Sequence, residues 1–291
     1  MNKYITSLIV PLLVLTAAAS LACIVGYFIF QGIDSHFSLS KIITKSTQLF
    51  LALSIFPAMA WLKFNKNDLG FAARPVFLKQ ILQGIGLGFI TLLPVFITLY
   101  VLGINVVDQP QSWTVGFMAQ KITLSLLLGL LIAVFEESVF RGVLLAGLKK
   151  NVPVIAAILI SSTYFAALHF MDSQTEIPFQ QAQLLSGFTL LGEAFANVLN
   201  PKNASAFLSL LTVGALLAVI RTQVKESLGL CIGCHAGWVW QIKMNGTLFN
   251  TDLDSKYLYL VSTYNYVVGP LVTVWLSLAI IGYFVYKKVR G

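Results

Sequence analysis

Long apolar runs separated by short charged ones recur from one end of this chain to the other, and that pattern leaves it one environment to fold in. A helix that crosses roughly 30 Å of hydrocarbon needs about 20 largely apolar residues. Eight stretches meet or approach that length: Ile5 to Phe30, Ser46 to Leu62, Ile81 to Val101, Ile122 to Leu148, Val152 to Phe170, Ala204 to Ile220, Ser227 to Ile242 and Val267 to Tyr286. Only 10% of the residues are charged and 57% are hydrophobic, whereas soluble domains carry about 25% charge. A cytosolic enzyme, a secreted disulfide scaffold and a disordered regulator are thereby excluded. The expected fold class is an all-α integral membrane protein of about eight transmembrane helices with an interior polar site. A single membrane-embedded domain is expected over 1–291.

The first run begins after Lys3 and contains the small residues Ala17, Ala18, Ala19 and Ser20, as a signal peptide would. Apolar sequence continues through Phe30, so an uncleaved anchor is the expectation. Pro94 and Pro270 fall inside spans, and each predicts a kink. Between the fifth and sixth spans, Phe179 to Leu199 reads as an amphipathic helix at the interface.

The +8 net charge, from 19 Lys and Arg against 11 Asp and Glu, is spread between the apolar runs. It reads as a topology signal rather than as a nucleic-acid patch. One side would hold Lys3, Lys63, Lys66, Arg74, Lys79, Lys149, Lys150, Arg221, Lys225, Lys287, Lys288 and Arg290, twelve in all; the other would hold six, Lys41, Lys45, Lys121, Lys202, Lys243 and Lys256. The cation-rich side is expected to be cytoplasmic. Both termini would then lie in the cytoplasm, in a plasma membrane of bacterial type.

Ionisable groups inside spans are costly and call for a reason. Here they are Glu136, Glu137 and Arg141 in the fourth span, His169 near the end of the fifth and His235 in the seventh; His36 lies outside. Glu137 and Arg141, four apart on a helix, face each other in the favourable order for an ion pair. Taken alone, they neutralise each other and fix packing. Glu136 points about 100° away with no cation one turn on, which suits a proton-accepting base. Small-residue stripes accompany these groups: Gly129 and Ala133 lead to Glu136, Ser162 and Ala166 to His169, and Gly229, Gly233 and Gly237 flank His235. Such stripes let helices approach closely.

One carboxylate and two imidazoles have three uses: binding a metal, relaying protons in a transporter, or activating water. Three ligands with an open position match a catalytic zinc site, so a divalent metal such as zinc at Glu136, His169 and His235 is one expectation. The lack of HExxH spacing ranks it second to a site without a cofactor. The string Cys231 to His235 also matches the CxxCH haem-attachment pattern, but its predicted helix and cytoplasmic-end position argue against haem. By helix rise, Glu136 would sit about 18 Å from the cytoplasmic end, His235 about 12 Å and His169 about 26 Å. His169 must therefore come inward for the three to meet.

Glu136-Glu137-Ser138-Val139-Phe140-Arg141 reads as EExxxR, Phe165 to His169 as FxxxH, and Cys234-His235-Ala236-Gly237-Trp238 as a final histidine motif. In this order, on successive spans, they resemble the CAAX-processing and bacteriocin-processing family of intramembrane endopeptidases, which includes the Ras-converting type and the bacterial Abi proteins. The resemblance covers 122–242 and leaves the spans within 5–101 generic. It implies a glutamate-dependent hydrolase acting on a membrane-associated peptide or protein. Glu136 and His169 would activate water, His235 would hold the oxyanion, and Glu137, Arg141 and Phe165 would support them. The family's Asn or Asp four residues after the last histidine is Val239 here. Trp238, Gln241 and Asn245 are the nearest replacement donors. A non-catalytic immunity or scaffold member and a proton-coupled transporter are the alternatives.

Overall fold

The computed structural model describes residues 3–32, 37–107 and 113–290; His36 lies outside them. A chain in hydrocarbon must satisfy its backbone internally, and nearly every described segment of length does so as helix. The order is α1 (Lys3–Gly32), α2 (Leu39–Leu53), α3 (Ile55–Leu62), α4 (Arg74–Val101), α5 (Val115–Glu137), a π-helical turn (Ser138–Leu144), α6 (Leu145–Lys149), α7 (Val154–Leu168), α8 (Ser186–Val198), α9 (Ala204–Gln223), α10 (Leu228–Leu248) and α11 (Pro270–Arg290). Two short strands, β1 (Asn105–Val107) and β2 (Phe249–Thr251), pair antiparallel.

Six units among the described residues are long and apolar enough to cross a membrane: α1, α2–α3, α4, α5–α6, α9 and α11. The other two expected spans differ for physical reasons. α7 is apolar but has only 15 residues, about 22 Å of rise, and so stops inside the hydrocarbon. α10 has 21 residues and is the most enclosed helix. Leu228, Cys231, Ile232, Cys234 and Ala236 are wholly buried, so lipid exerts little selection for hydrophobicity on this helix.

Boundaries shift as well. Ser38 caps α2 by accepting from Lys41 N–H at 3.4 Å, so that crossing starts at Leu39, and it breaks at Ser54. Pro270 is the first residue of α11 rather than a kink within it; its missing N–H costs nothing there. Pro94 does lie inside α4. The amphipathic segment is helical only from Ser186, and it docks on the bundle where the Cys23 thiol donates to Gly187 O at 3.2 Å.

The N-terminal spans build the site's walls. α4 and α10 run side by side, tied at one end by Leu228 N–H donating to Gly70 O at 2.9 Å and at the other by β1 and β2. Between these ties the backbones touch. A Cβ on Gly233 would fall 2.1 Å from Ile81 O, and one on Gly84 would fall 2.3 Å from Leu230 O. Above this seam, Leu92, Leu99, Leu217, Trp238 and Leu276 form one apolar cluster, and Phe140, Phe165, Phe170, Leu210 and Val268 form a second.

Candidate active site

The EExxxR segment is not plain α-helix. α5 ends at Glu137, and the turn from Ser138 to Leu144 is π-helical, a local distortion frequent at functional sites. The close-packed face of α5 holds Ser125, Gly129, Ala133 and Glu137. The stripe thus leads to Glu137, and Glu136 lies one step round, at the edge of a cavity of about 810 Å³.

Glu137 and Arg141 are fully enclosed and joined at 3.1 Å between Oε1 and Nη1. Arg141 also donates from Nη2 to Gly214 O on α9 at 3.2 Å, and its guanidinium lies 4.3 Å from the Phe165 ring centre. Oε1 of Glu137 also lies 2.8 Å from His235 Nδ1. A carboxylate oxygen beside a cation only accepts, so Nδ1 carries its proton and donates. The other ring nitrogen, Nε2, is thereby aimed at Glu136, 3.9 Å from its Oε2. That is too long for a hydrogen bond, but one oxygen atom at about 2.8 Å from each would fit between them.

Glu136 Oε2 has no hydrogen-bond partner among the described residues, and 27% of this side chain's surface is open, against none of Glu137's. The two adjacent glutamates therefore do different work: one is locked between two cations or donors, while the other is unpaired and faces the cavity.

His169 caps the C-terminus of α7. Its Nδ1 donates to Phe165 O at 2.7 Å, which leaves Nε2 as the free nitrogen. Because α7 ends early, His169 lies inside the fold, and it lines the same cavity as Glu136 and His235. Phe165 stands between the imidazoles, with ring centres 4.6 Å from His169 and 5.9 Å from His235. Two carboxylates and one guanidinium leave one negative charge in a low-dielectric site. A protonated His235, donating from both nitrogens, would balance it.

None of the expected replacement donors is offered to the cavity. Trp238 Nε1 donates to Thr91 Oγ1 at 2.8 Å, Gln241 Nε2 donates to Gly88 O at 3.0 Å, and Asn245, which accepts from Asn105 Nδ2 through Oδ1 at 2.8 Å, does not line the cavity. Val239 lines the cavity as an apolar wall. Polar groups that the sequence did not point to line it too: Asp172 and Ser173 after α7, and Tyr264 and Asn265 before α11. Two backbone donors, the N–H groups of Val267 and Val268, pin the Asn265 side-chain oxygen at 3.1 and 2.8 Å. No spacing rule marks these residues; the one signal was the polar run Ser262 to Asn265 ahead of an apolar span.

A metal fits poorly. Among the described residues no three His, Cys, Asp or Glu side chains are arranged to hold an ion. The CxxCH cysteines are likewise interior packing: Cys231 and Cys234 are wholly buried.

No curated protein and no solved structure matches this chain. A family model does, described as Type II CAAX prenyl endopeptidase Rce1-like, over residues 118–241. That stretch holds the π-turn, the FxxxH helix and most of α10, and its similarity to the Rce1-like family of membrane proteases is the one its ordered motifs implied.

Proposed function

We propose that this protein is a glutamate-dependent intramembrane endopeptidase that uses a water molecule as nucleophile. The observation that carries this reading is the division of labour between the adjacent glutamates, with Glu136 free of hydrogen bonds beside His235 and Glu137 bonded through Oε1 to both Arg141 and His235. Glu136, assisted by the free Nε2 of His169, takes a proton from water as the oxygen attacks the scissile carbonyl carbon. The carbonyl π electrons move onto oxygen, and the protonated His235 donates to that oxyanion from Nε2. Collapse of the adduct breaks the C–N bond, and the leaving amine takes the proton held by Glu136. The products are a carboxylic acid and an amine, between which the second water proton passes to give carboxylate and ammonium, and the catalytic groups return to their starting state. Apolar walls from Leu131, Phe135, Leu168, Leu210 and Val272 suit an apolar or lipid-modified peptide, in keeping with the family's description.

The test is cleavage of a membrane-anchored peptide library by the purified protein in lipid vesicles. Glu136→Gln should lower the rate by about 10² to 10⁴, the usual contribution of a general base, with little change in thermal stability, because Glu136 Oε2 has no hydrogen bond to lose and its contact with His235 is long, at 3.9 Å. Cleavage by Glu136→Gln at the parental rate would refute the mechanism. One observation favours a second reading, a non-catalytic member: Val239 where the family has a donor. In that case any phenotype conferred by the protein survives Glu136→Gln.

A further inference from the structure

We infer that the substrate is a peptide whose scissile bond is presented from the membrane face opposite both termini, the extracytoplasmic face. This rests on the peptidase reading and adds the side of access, from three independent features.

The first is where the cavity lies along the helices. The α2–α3 crossing contributes from Ser40 to Ala52, mainly its first half; α10 contributes from His235 to Lys243, mainly in its second half; and α11 contributes only its first turns, through Leu276. Those portions meet at one end of the bundle, where Ser40 Oγ donates to Ser173 O at 3.1 Å and β1 pairs with β2.

The second is that the other end is closed. Below His235 the interior is filled by the enclosed Glu137–Arg141 pair and by Leu145, Leu217, Leu228 and Ile232, each 0 or 1% exposed. A peptide has no route to Glu136 through that floor.

The third is charge. The closed end gathers the cation-rich segments: Lys150 Nζ donates to Leu62 O at 3.0 Å, Arg221 Nη2 to Asp68 O at 3.0 Å, and Lys287 Nζ to Gln223 Oε1 at 2.6 Å. The open end mixes its lysines with Asp172, Glu176, Glu193, Asp252 and Asp254. The positive-inside bias thus puts the floor in the cytoplasm and the mouth outside.

Single cysteines report the orientation without any need for activity. The native Cys23, Cys231 and Cys234 are wholly buried, so the parent protein supplies the background. With a membrane-impermeant maleimide on intact bacterial cells, Lys243→Cys at the cavity mouth should label, and the exposed Lys225→Cys should label only after lysis. Two reporters, each carrying a randomised juxtamembrane segment on one face of the membrane, then read cleavage. Loss of the extracytoplasmic reporter alone is the expected result. Reversed labelling, or cleavage of the cytoplasmic reporter alone, overturns the sidedness and leaves the peptidase standing. Expected labelling with neither reporter cut overturns both.

Discussion

Removing one member of the enclosed Glu137–Arg141 pair should hurt this protein more than removing both. The charges lie 3.1 Å apart with no exposed surface; at an effective dielectric of about 20 their attraction is about 5 kcal/mol. Arg141→Met leaves the enclosed Glu137 carboxylate with His235 as its one bonded partner, and Glu137→Gln leaves a guanidinium whose remaining partners are Gly214 O and the Phe140 and Phe165 rings. Each single change should cost about 3–5 kcal/mol, as breaking a buried pair does. Were the two independent, the double variant would lose about 6–10 kcal/mol; two neutral side chains in the same space should instead cost no more than one single change. The assay is reversible unfolding in mixed detergent micelles followed by helix content. A double variant whose loss equals the sum of the singles to within about 0.5 kcal/mol refutes the coupling. Activity separates the two roles: Glu137→Gln and the double variant remove the anion beside His235 and should lose cleavage, whereas Arg141→Met keeps the 2.8 Å His235 contact and should retain more of it.

Other outcomes follow from the same geometry. Gly233→Ala puts a methyl carbon 2.1 Å from a backbone oxygen, so α4 and α10 must part; destabilisation of about 1–3 kcal/mol or more is expected in the same unfolding assay. Burial, and then the charges of Glu136 and Asp172, push the Tyr264 phenol from 10 up to about 12. A raised folded-state value favours the protonated form, so its stabilising contribution is complete below pH 10 and is lost as pH rises towards 12. Tyr264→Phe should flatten that part of the stability curve. The donor geometry at Glu136, His169 and His235 predicts cleavage that survives dialysis against a divalent-metal chelator; loss of activity restored by zinc would refute this.

The sequence made the membrane class and the polar helices legible because charge in an apolar helix is expensive enough to be conspicuous. Glu137 and Arg141 could be paired on spacing alone. Three things were not legible. The π-turn after Glu137 meets α7 and α9, where Ser161 Oγ donates to Phe140 O at 3.1 Å and Arg141 Nη2 to Gly214 O at 3.2 Å, contacts that no spacing within Ser138 to Leu144 records. The role of α4 was hidden because Gly84 and Gly88 look ordinary until α10 is laid against them. Asp172, Ser173, Tyr264 and Asn265 reach the cavity only because two connecting segments fold over it, which no local periodicity records. His169 comes inward, as a three-residue site requires, because α7 ends at Leu168 short of a full crossing.

The short reach of α7 and the low hydropathy of α10 bear on how the protein is made. α7, at 15 residues, is shorter than a full crossing needs, and α10 is largely enclosed by other helices, yet these two carry the histidines of the site. Each must wait for sister helices that can shelter it. The candidate site is therefore incomplete in a half-inserted chain: the imidazoles join Glu136 around one cavity only once the surrounding bundle is in place.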